Sequence, residues 1–275
     1  MKMRLKDGKL KVLTLSYDDG CVQDIRLIEI MNKYGLKGTF NLNPGSYIPE
    51  DGERDRSNRR LKLSEAKELY TNSGHEIAVH GYTHPFFEKL DTCEMIYEIT
   101  EARKALESQF GRIVRGMAYP FGTYNDDVLD VLEKCHIAYS RTINATFGYE
   151  FPQNWLTLHP TCHHYSPKLE ELITNFVEKP PRASNARMFY LWGHSYEFDD
   201  NNNWEHIEEF AKYAGGRDDI WYATNIEIYD YVQAYKRLEM SFDKKIIHNP
   251  SSIDVWFEVV KGETLCIKGG ETLYL

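Results

Sequence analysis

The sequence predicts an α/β protein whose parallel strands close into a (β/α) barrel, followed by a small antiparallel β appendage. Three observations carry this expectation. Strand-like apolar runs alternate with helix-like segments seven or eight times along 275 residues. Several of those runs are apolar almost without a break, as strands covered on both faces are. No glycine-rich dinucleotide turn is present to support the competing open, doubly wound sheet.

In chain order, strands are expected at Lys11–Tyr17, Lys37–Asn43, His75–His80, Val114–Pro120, Ile137–Thr142, Trp155–Thr161, Ala186–Gly193 and Ile220–Thr224. The helices between them have readable starts. Asp24 precedes a helix-periodic run that stops at Gly35, and Ser64 is placed to cap the next. Asp91 and Glu94 form a capping-box pattern ahead of a long helix ending near Gly111. Asn125, Ser166 followed by Pro167, Asn203 and Asn225 mark the remaining starts. The charged stretch 50–60 reads as solvated loop. Beyond about residue 240 the chain becomes short, alternating and punctuated by Gly262 and Gly269-Gly270, which suggests a unit 1–239 and a β extension 240–275.

Composition narrows the function. Hydrophobic residues make up 42% and charged residues 27%, which suits a packed core. A net charge of −9 disfavours a phosphate backbone as partner but admits a neutral sugar. Five cysteines, an odd number without a CxxC pair, read as reduced thiols in a cytoplasmic protein. No apolar stretch approaches the roughly 20 residues of a membrane helix, and no signal-peptide core follows the basic N-terminus. A soluble protein without membrane or nucleic-acid partners is expected, and a homo-oligomer is compatible with the appendage.

The polar clusters fall where barrel strands end, the face on which such folds carry their chemistry. Asp18 and Asp19 follow the first strand, in Leu13-Thr14-Leu15-Ser16-Tyr17-Asp18-Asp19-Gly20. A turn explains one acid. The second repels it, a cost that a nearby dication removes. His80 and His84 lie in "HGYTH", where Gly81 and Pro85 oppose a helix and favour a loop that turns both rings inward. Two imidazoles and one carboxylate make a three-ligand set that leaves a position open for water. "AYPFG" supplies Tyr119 and Phe121, Arg141 ends the fifth strand, and Trp192 and His194 end the seventh. The titration range of histidine suits His194 to proton donation. Cys162-His163-His164 offers a second histidine pair, but neighbours on a strand point to opposite faces, so His164 is a pocket-lining candidate only.

Taken together, "LSYDDG", "HGYTH", "AYPFG" and the strand-end His194 resemble the motifs of the polysaccharide deacetylases, carbohydrate esterase family four, with the NodB-homology fold. The resemblance covers roughly residues 11–230. It implies a distorted, incomplete (β/α) barrel. It implies Asp18 as general base and Asp19, His80 and His84 as ligands of one divalent metal, Zn2+ by default with Co2+, Mn2+ or Fe2+ as alternatives. It also implies the Phe121 N–H as oxyanion donor and His194 as general acid, acting on an acetylated carbohydrate or small N-acyl substrate. Tyr119, Trp192 and His164 complete the expected substrate-binding set.

Three departures stand out. Gly81 replaces the Ser or Thr usual after the first metal-binding histidine. Ala118 stands where an arginine often steadies the base, and Arg141 is expected to reach Asp18 instead. The Asp-Trp pair that tunes the acid is not recognisable. Two rival readings use the same residues: a catalytically retired carbohydrate-binding protein with aromatic platforms such as Trp155, Trp192, Tyr119 and Tyr165, and a non-haem Fe(II) oxygenase using two histidines and a carboxylate.

Overall fold

The computed structural model describes residues 1–55, 59–181, 185–259 and 262–275. After the short β1 (Lys2–Met3), the chain runs β2 (Lys11–Asp18), α1 (Asp24–Lys33), β3 (Gly38–Leu42), α2 (Leu63–Thr71), β4 (Glu76–Val79), α3 (Thr92–Phe110), β5 (Gly116–Ala118), α4 (Asp126–Lys134), β6 (Tyr139–Arg141), β7 (Cys162–His163), α5 (Leu169–Glu178), β8 (Arg187–Gly193), α6 (Tyr196–Asp200), α7 (Trp204–Ala214), β9 (Ile220–Tyr222) and α8 (Asn225–Lys236). Short strands β10 (Glu239–Met240), β11 (Ile246–His248), β12 (Val255–Glu258), β13 (Thr264–Ile267) and β14 (Thr272–Tyr274) complete it.

The main sheet is parallel throughout, in the order β6-β5-β4-β3-β2-β8-β7, with β9 also paired to β2. This is the distorted barrel, with eight parallel strands. Its seam lies between β6 and β7, where a bridge from Arg141 to Leu158 stands in for a ladder.

Strand β2 shows how the sequence aims the site. Leu13, Leu15 and Tyr17 pack into the large core beneath the helices. The alternate residues Thr14, Ser16 and Asp18 are equally buried but polar. They meet partners from neighbouring elements: Thr14 donates to Asn225 Oδ1 at 3.0 Å, and Asn41 Nδ2 donates to Ser16 Oγ and Asp18 Oδ1, both at 2.8 Å. The two-residue period thus sends Tyr17 outward and Asp18 inward.

Helix starts follow local chemistry. Asp91 Oδ1 accepts the Glu94 N–H and Glu94 accepts the Asp91 N–H, and Gly111 ends α3 at φ 63°, in the left-handed region that favours glycine. Asn125 caps α4 by accepting the Val128 N–H at 3.0 Å. Elsewhere the boundary moves by a residue or more. Asp24 is inside α1, Thr224 rather than Asn225 caps α8, and Ser64 lies in the first turn of α2, where Glu50 accepts its N–H and hydroxyl.

Two expectations need correction. Trp155–Thr161 is not a strand: residues Trp155–Thr157 form a 3-10 turn and the strand is Cys162–His163. The apolar run there is core filler at the seam, with Trp155 and Leu158 buried. The β extension is also not purely C-terminal. N-terminal β1 pairs antiparallel with β12, and β10 begins at Glu239. The extension closes over its own small core of Leu238, Ile247, Val255, Phe257 and Ile267, shared with Ala234 of α8. No helix among the described residues is long and apolar enough to cross a membrane.

Candidate active site

Asp19, His80 and His84 converge: one ligand atom from each lies within 4.8 Å of the others. They arrive from two strand ends, Asp19 from that of β2 and both histidines from that of β4. Asp19 leaves β2 at φ 81°, His84 sits in the β4–α3 loop at φ 68°, and Phe121, beside them, has φ 58°. Three non-glycine residues in the left-handed region at one site mark a backbone held by its surroundings.

Those surroundings are identifiable. Glu98 of α3 accepts the N–H of Tyr82 at 2.6 Å, the N–H of Thr83 at 2.8 Å and the Thr83 hydroxyl at 2.7 Å. This pins the loop that a Ser or Thr after His80 would otherwise steady. Gly81 itself has φ 75°, a conformation glycine adopts without strain, and a Cβ there would approach Pro85 Cδ to 3.0 Å. Asn43 Nδ2 donates to the His80 and Gly81 carbonyls.

The donor set suits a divalent cation. His80 Nδ1 lies 2.9 Å from the Ala118 carbonyl, so it donates there and turns the Nε2 lone pair to the cluster. Burial lowers the His80 pKa, and burial, followed by repulsion from His80 when both rings are protonated, takes His84 to about 4, so both favour the neutral form that can ligate. His84 Nε2 stands 3.7 Å from Asp19 Oδ1.

Asp18 borders this set, 3.8 Å from His80 Nε2. Burial would raise its pKa, but Arg141, then His80 and His194, and the Asn41 amide bring it down to about 2. Arg141 is fully buried and bonds Asp18 Oδ2. Its place is legible in the sheet: Arg141 is the β6 partner of Ala118 on β5, so the arginine missing from one strand is supplied by the next.

His194 Nε2 lies 3.9 Å from Asp18 Oδ2, and its Nδ1 faces Glu197 Oε2 at 3.6 Å. Burial opposes a charge on His194, but Glu197 and the Asp18 and Asp19 carboxylates outweigh it and raise its pKa. Glu197 is the partner that sequence reasoning missed. The signal was local: an acid three residues after the candidate histidine, at the start of α6.

Glu197 Oε2 also lies 3.2 Å from His163 Nε2 and 2.9 Å from His164 Nε2, so these adjacent histidines do share a centre. The alternation rule fails because β7 ends at His163 and the chain turns. This second group is an ion-paired hub whose three candidate ligand atoms also lie within 4.8 Å of one another. The Tyr165 N–H donates to His163 Nδ1 at 3.2 Å, which leaves the His163 Nε2 facing Glu197. Burial would raise the Glu197 pKa, but the surrounding imidazoles drive it far below the carboxylate range.

Not every expected lining residue faces the opening. Tyr119 is buried, stacked on Tyr124, with its hydroxyl donating to the Leu156 carbonyl at 2.7 Å. Its phenol belongs to the core at the barrel seam. His164 is wholly buried, with its ring against Gly193. Trp192 lies under the Arg141 guanidinium, 4.4 Å from the ring centre, and meets His194 edge-on. Phe121 is 46% exposed, stacks on Phe86 at 3.7 Å and meets the His84 ring edge-on. The loop read as solvated also contributes: Arg60 bonds Asp19, and Arg59 pairs with Asp200 of α6.

Residues 6–140, which carry Asp18, Asp19, His80, His84 and Phe121, match the polysaccharide deacetylase family. The chain is a relative of the polysaccharide deacetylases. The peptidoglycan-N-acetylglucosamine deacetylase PgdA of Listeria monocytogenes is 26% identical over 122 residues, 44% of this chain and 23% of that protein. The chitooligosaccharide deacetylase of Bradyrhizobium sp. is 27% identical over 129 residues, 45% of this chain and 52% of that one. The match thus spans about a quarter to a half of the length of these curated relatives. A Mycobacterium smegmatis structure, determined as that of a candidate polysaccharide deacetylase, shares the fold with a TM-score of 0.58 and 18% identity, over 86% of this chain and 95% of that chain.

Proposed function

We propose that the protein is a metal-dependent hydrolase that removes acetyl groups, N- or O-linked, from a carbohydrate or small N-acyl substrate. One observation carries the reading: neutral His80 and His84 meet Asp19 around a common centre, with the ionised Asp18 beside it and His194 beyond. A divalent cation held there, Zn2+ by default and Co2+, Mn2+ or Fe2+ as alternatives, supplies Lewis-acid polarisation of the carbonyl and acidification of water.

The remaining work falls to side chains. Asp18, fixed by Arg141 and Asn41, takes a proton from the attacking water. The Phe121 N–H steadies the developing oxyanion, an effect typically worth about 3 kcal/mol. His194, whose pKa Glu197 raises, gives its proton to the departing nitrogen or oxygen. The products are acetate and a free amine or hydroxyl. The names of the Listeria and Bradyrhizobium relatives favour N-acetylglucosamine-containing substrates. A net charge of −9 disfavours nucleic acid as a partner.

The test is acetate release from N-acetylated chito-oligosaccharides, O-acetylated xylan and small N-acyl amides, with and without chelator. Chelator-sensitive release from one of these supports the reading. Sugar binding by metal-loaded protein without acetate release favours the retired binding protein. The parallel barrel speaks against the oxygenase, which commonly uses a double-stranded β-helix.

A further inference from the structure

The metal cradle has a brace that lies outside the deacetylase motifs. Residues 59–61 run antiparallel beside 20–22, bridged at Cys21 and Arg60. The Val22 N–H donates to the Arg59 carbonyl and the Leu61 N–H to the Gly20 carbonyl, both at 2.9 Å. Between these anchors the Arg60 guanidinium reaches three oxygens. Nη1 donates to the Asp19 carbonyl at 2.8 Å and to Asn43 Oδ1 at 2.7 Å, and Nη2 donates to Asp19 Oδ1 at 3.0 Å. Asn43 in turn holds the His80 and Gly81 carbonyls.

We infer that Arg60 is a positioning residue for the metal site: it fixes Asp19 in its left-handed conformation and links that ligand, through Asn43, to the backbone of the His80 ligand. The inference rests on the metal reading above. The physical case is specific to the guanidinium. Asp19 has φ 81°, a left-handed conformation that costs a non-glycine residue and that aspartate adopts where its side chain finds hydrogen bonds. One planar fork clamps both its main-chain and side-chain oxygens, so carboxylate orientation and backbone angle are set together. The carboxylate retains lone pairs for a cation on the side facing His84. A lysine ammonium presents one point charge and cannot reproduce the planar fork. The preceding arginine has a different task. Arg59 forms a two-pronged pair with Asp200, at 2.8 and 2.7 Å, and donates to the Tyr196 carbonyl, so it ties the same segment to α6 instead.

The test is Zn2+ affinity, measured by competition with a chromophoric chelator, for wild type, Arg60→Met, Arg60→Lys and Arg59→Met, with folding checked by circular dichroism. Outer partners of metal ligands typically affect affinity by about 10–100-fold. Arg60→Met should weaken Zn2+ binding by that amount, Arg60→Lys should recover less than half of the loss on a logarithmic scale, and Arg59→Met should stay within about threefold of wild type. If Arg60→Met fails to fold, Arg60→Lys alone decides, with at least about threefold weakening expected. Wild-type binding with unchanged or tighter binding in the Arg60 variants overturns the positioning role alone. A folded wild-type protein that binds no divalent cation overturns both this inference and the metal reading.

Discussion

Replacing Glu197 with glutamine should shift the alkaline limb of activity to lower pH. His194 must carry a proton to donate it, and Glu197 faces its Nδ1 at 3.6 Å. At an effective dielectric constant near 20, unit charges at that separation interact by about 4–5 kcal/mol, equivalent to roughly three pK units. Two facts reduce this. The side chains of His194 and Glu197 are 22% and 25% exposed, and the carboxylate is shared with His163 and His164. The His194 pKa is therefore expected to fall when the Glu197 charge is removed. Glutamine keeps the size of the side chain and removes the charge. The assay is kcat/KM for acetate release across the pH range, where the falling limb reports the acid. For the variant that limb should lie at lower pH, with activity at high pH reduced. A limb that stays in place, or moves up, would refute the pairing of Glu197 with the acid.

Other perturbations separate the remaining roles. Asp18→Asn should keep one bound metal and lose about 10²–10⁴-fold in turnover, while Asp19→Ala should lose the metal; equal metal loss in both would end that division of labour. Gly193→Ala would drive a Cβ into the His164 ring, so the ring must move. A cost of about 1–3 kcal/mol in urea unfolding is expected, and a neutral result would show that the hub is loosely packed. Burial raises Glu76 to about 7, despite bonds from Ile226, Tyr139 and Thr39. The folded state therefore holds a proton that the unfolded chain, with a pKa near 4.3, releases earlier, and this contribution to stability falls as pH rises from about 4 to about 7. Glu76→Gln should gain on wild type by on the order of 2 kcal/mol between pH 5 and pH 8, and a difference independent of pH would contradict a neutral buried Glu76.

What the sequence disclosed follows the range of the forces involved. Alternation along β2 and the strand-end motifs are local patterns, so Asp18, Asp19, His80, His84 and the parallel barrel could be read directly. Long-range partners were harder. Arg141 was within reach because a register argument places it beside Ala118. Glu98, Asn43 and Arg60 were not, because each belongs to a helix or loop whose side chains meet the site through packing that no local period encodes. Trp155–Thr161 misled for a related reason: an apolar run says that residues are buried, not that they extend. The histidine pair misled because the strand it was placed on ends at its first member.

The most direct test of the account is a metal titration of chelator-treated protein, following acetate release from an N-acetylated chito-oligosaccharide. Activity should rise from near zero to a plateau at one equivalent of a divalent cation, and His80→Ala should show no such rise. Equal acetate release with and without metal, or a plateau that survives loss of His80, would contradict it.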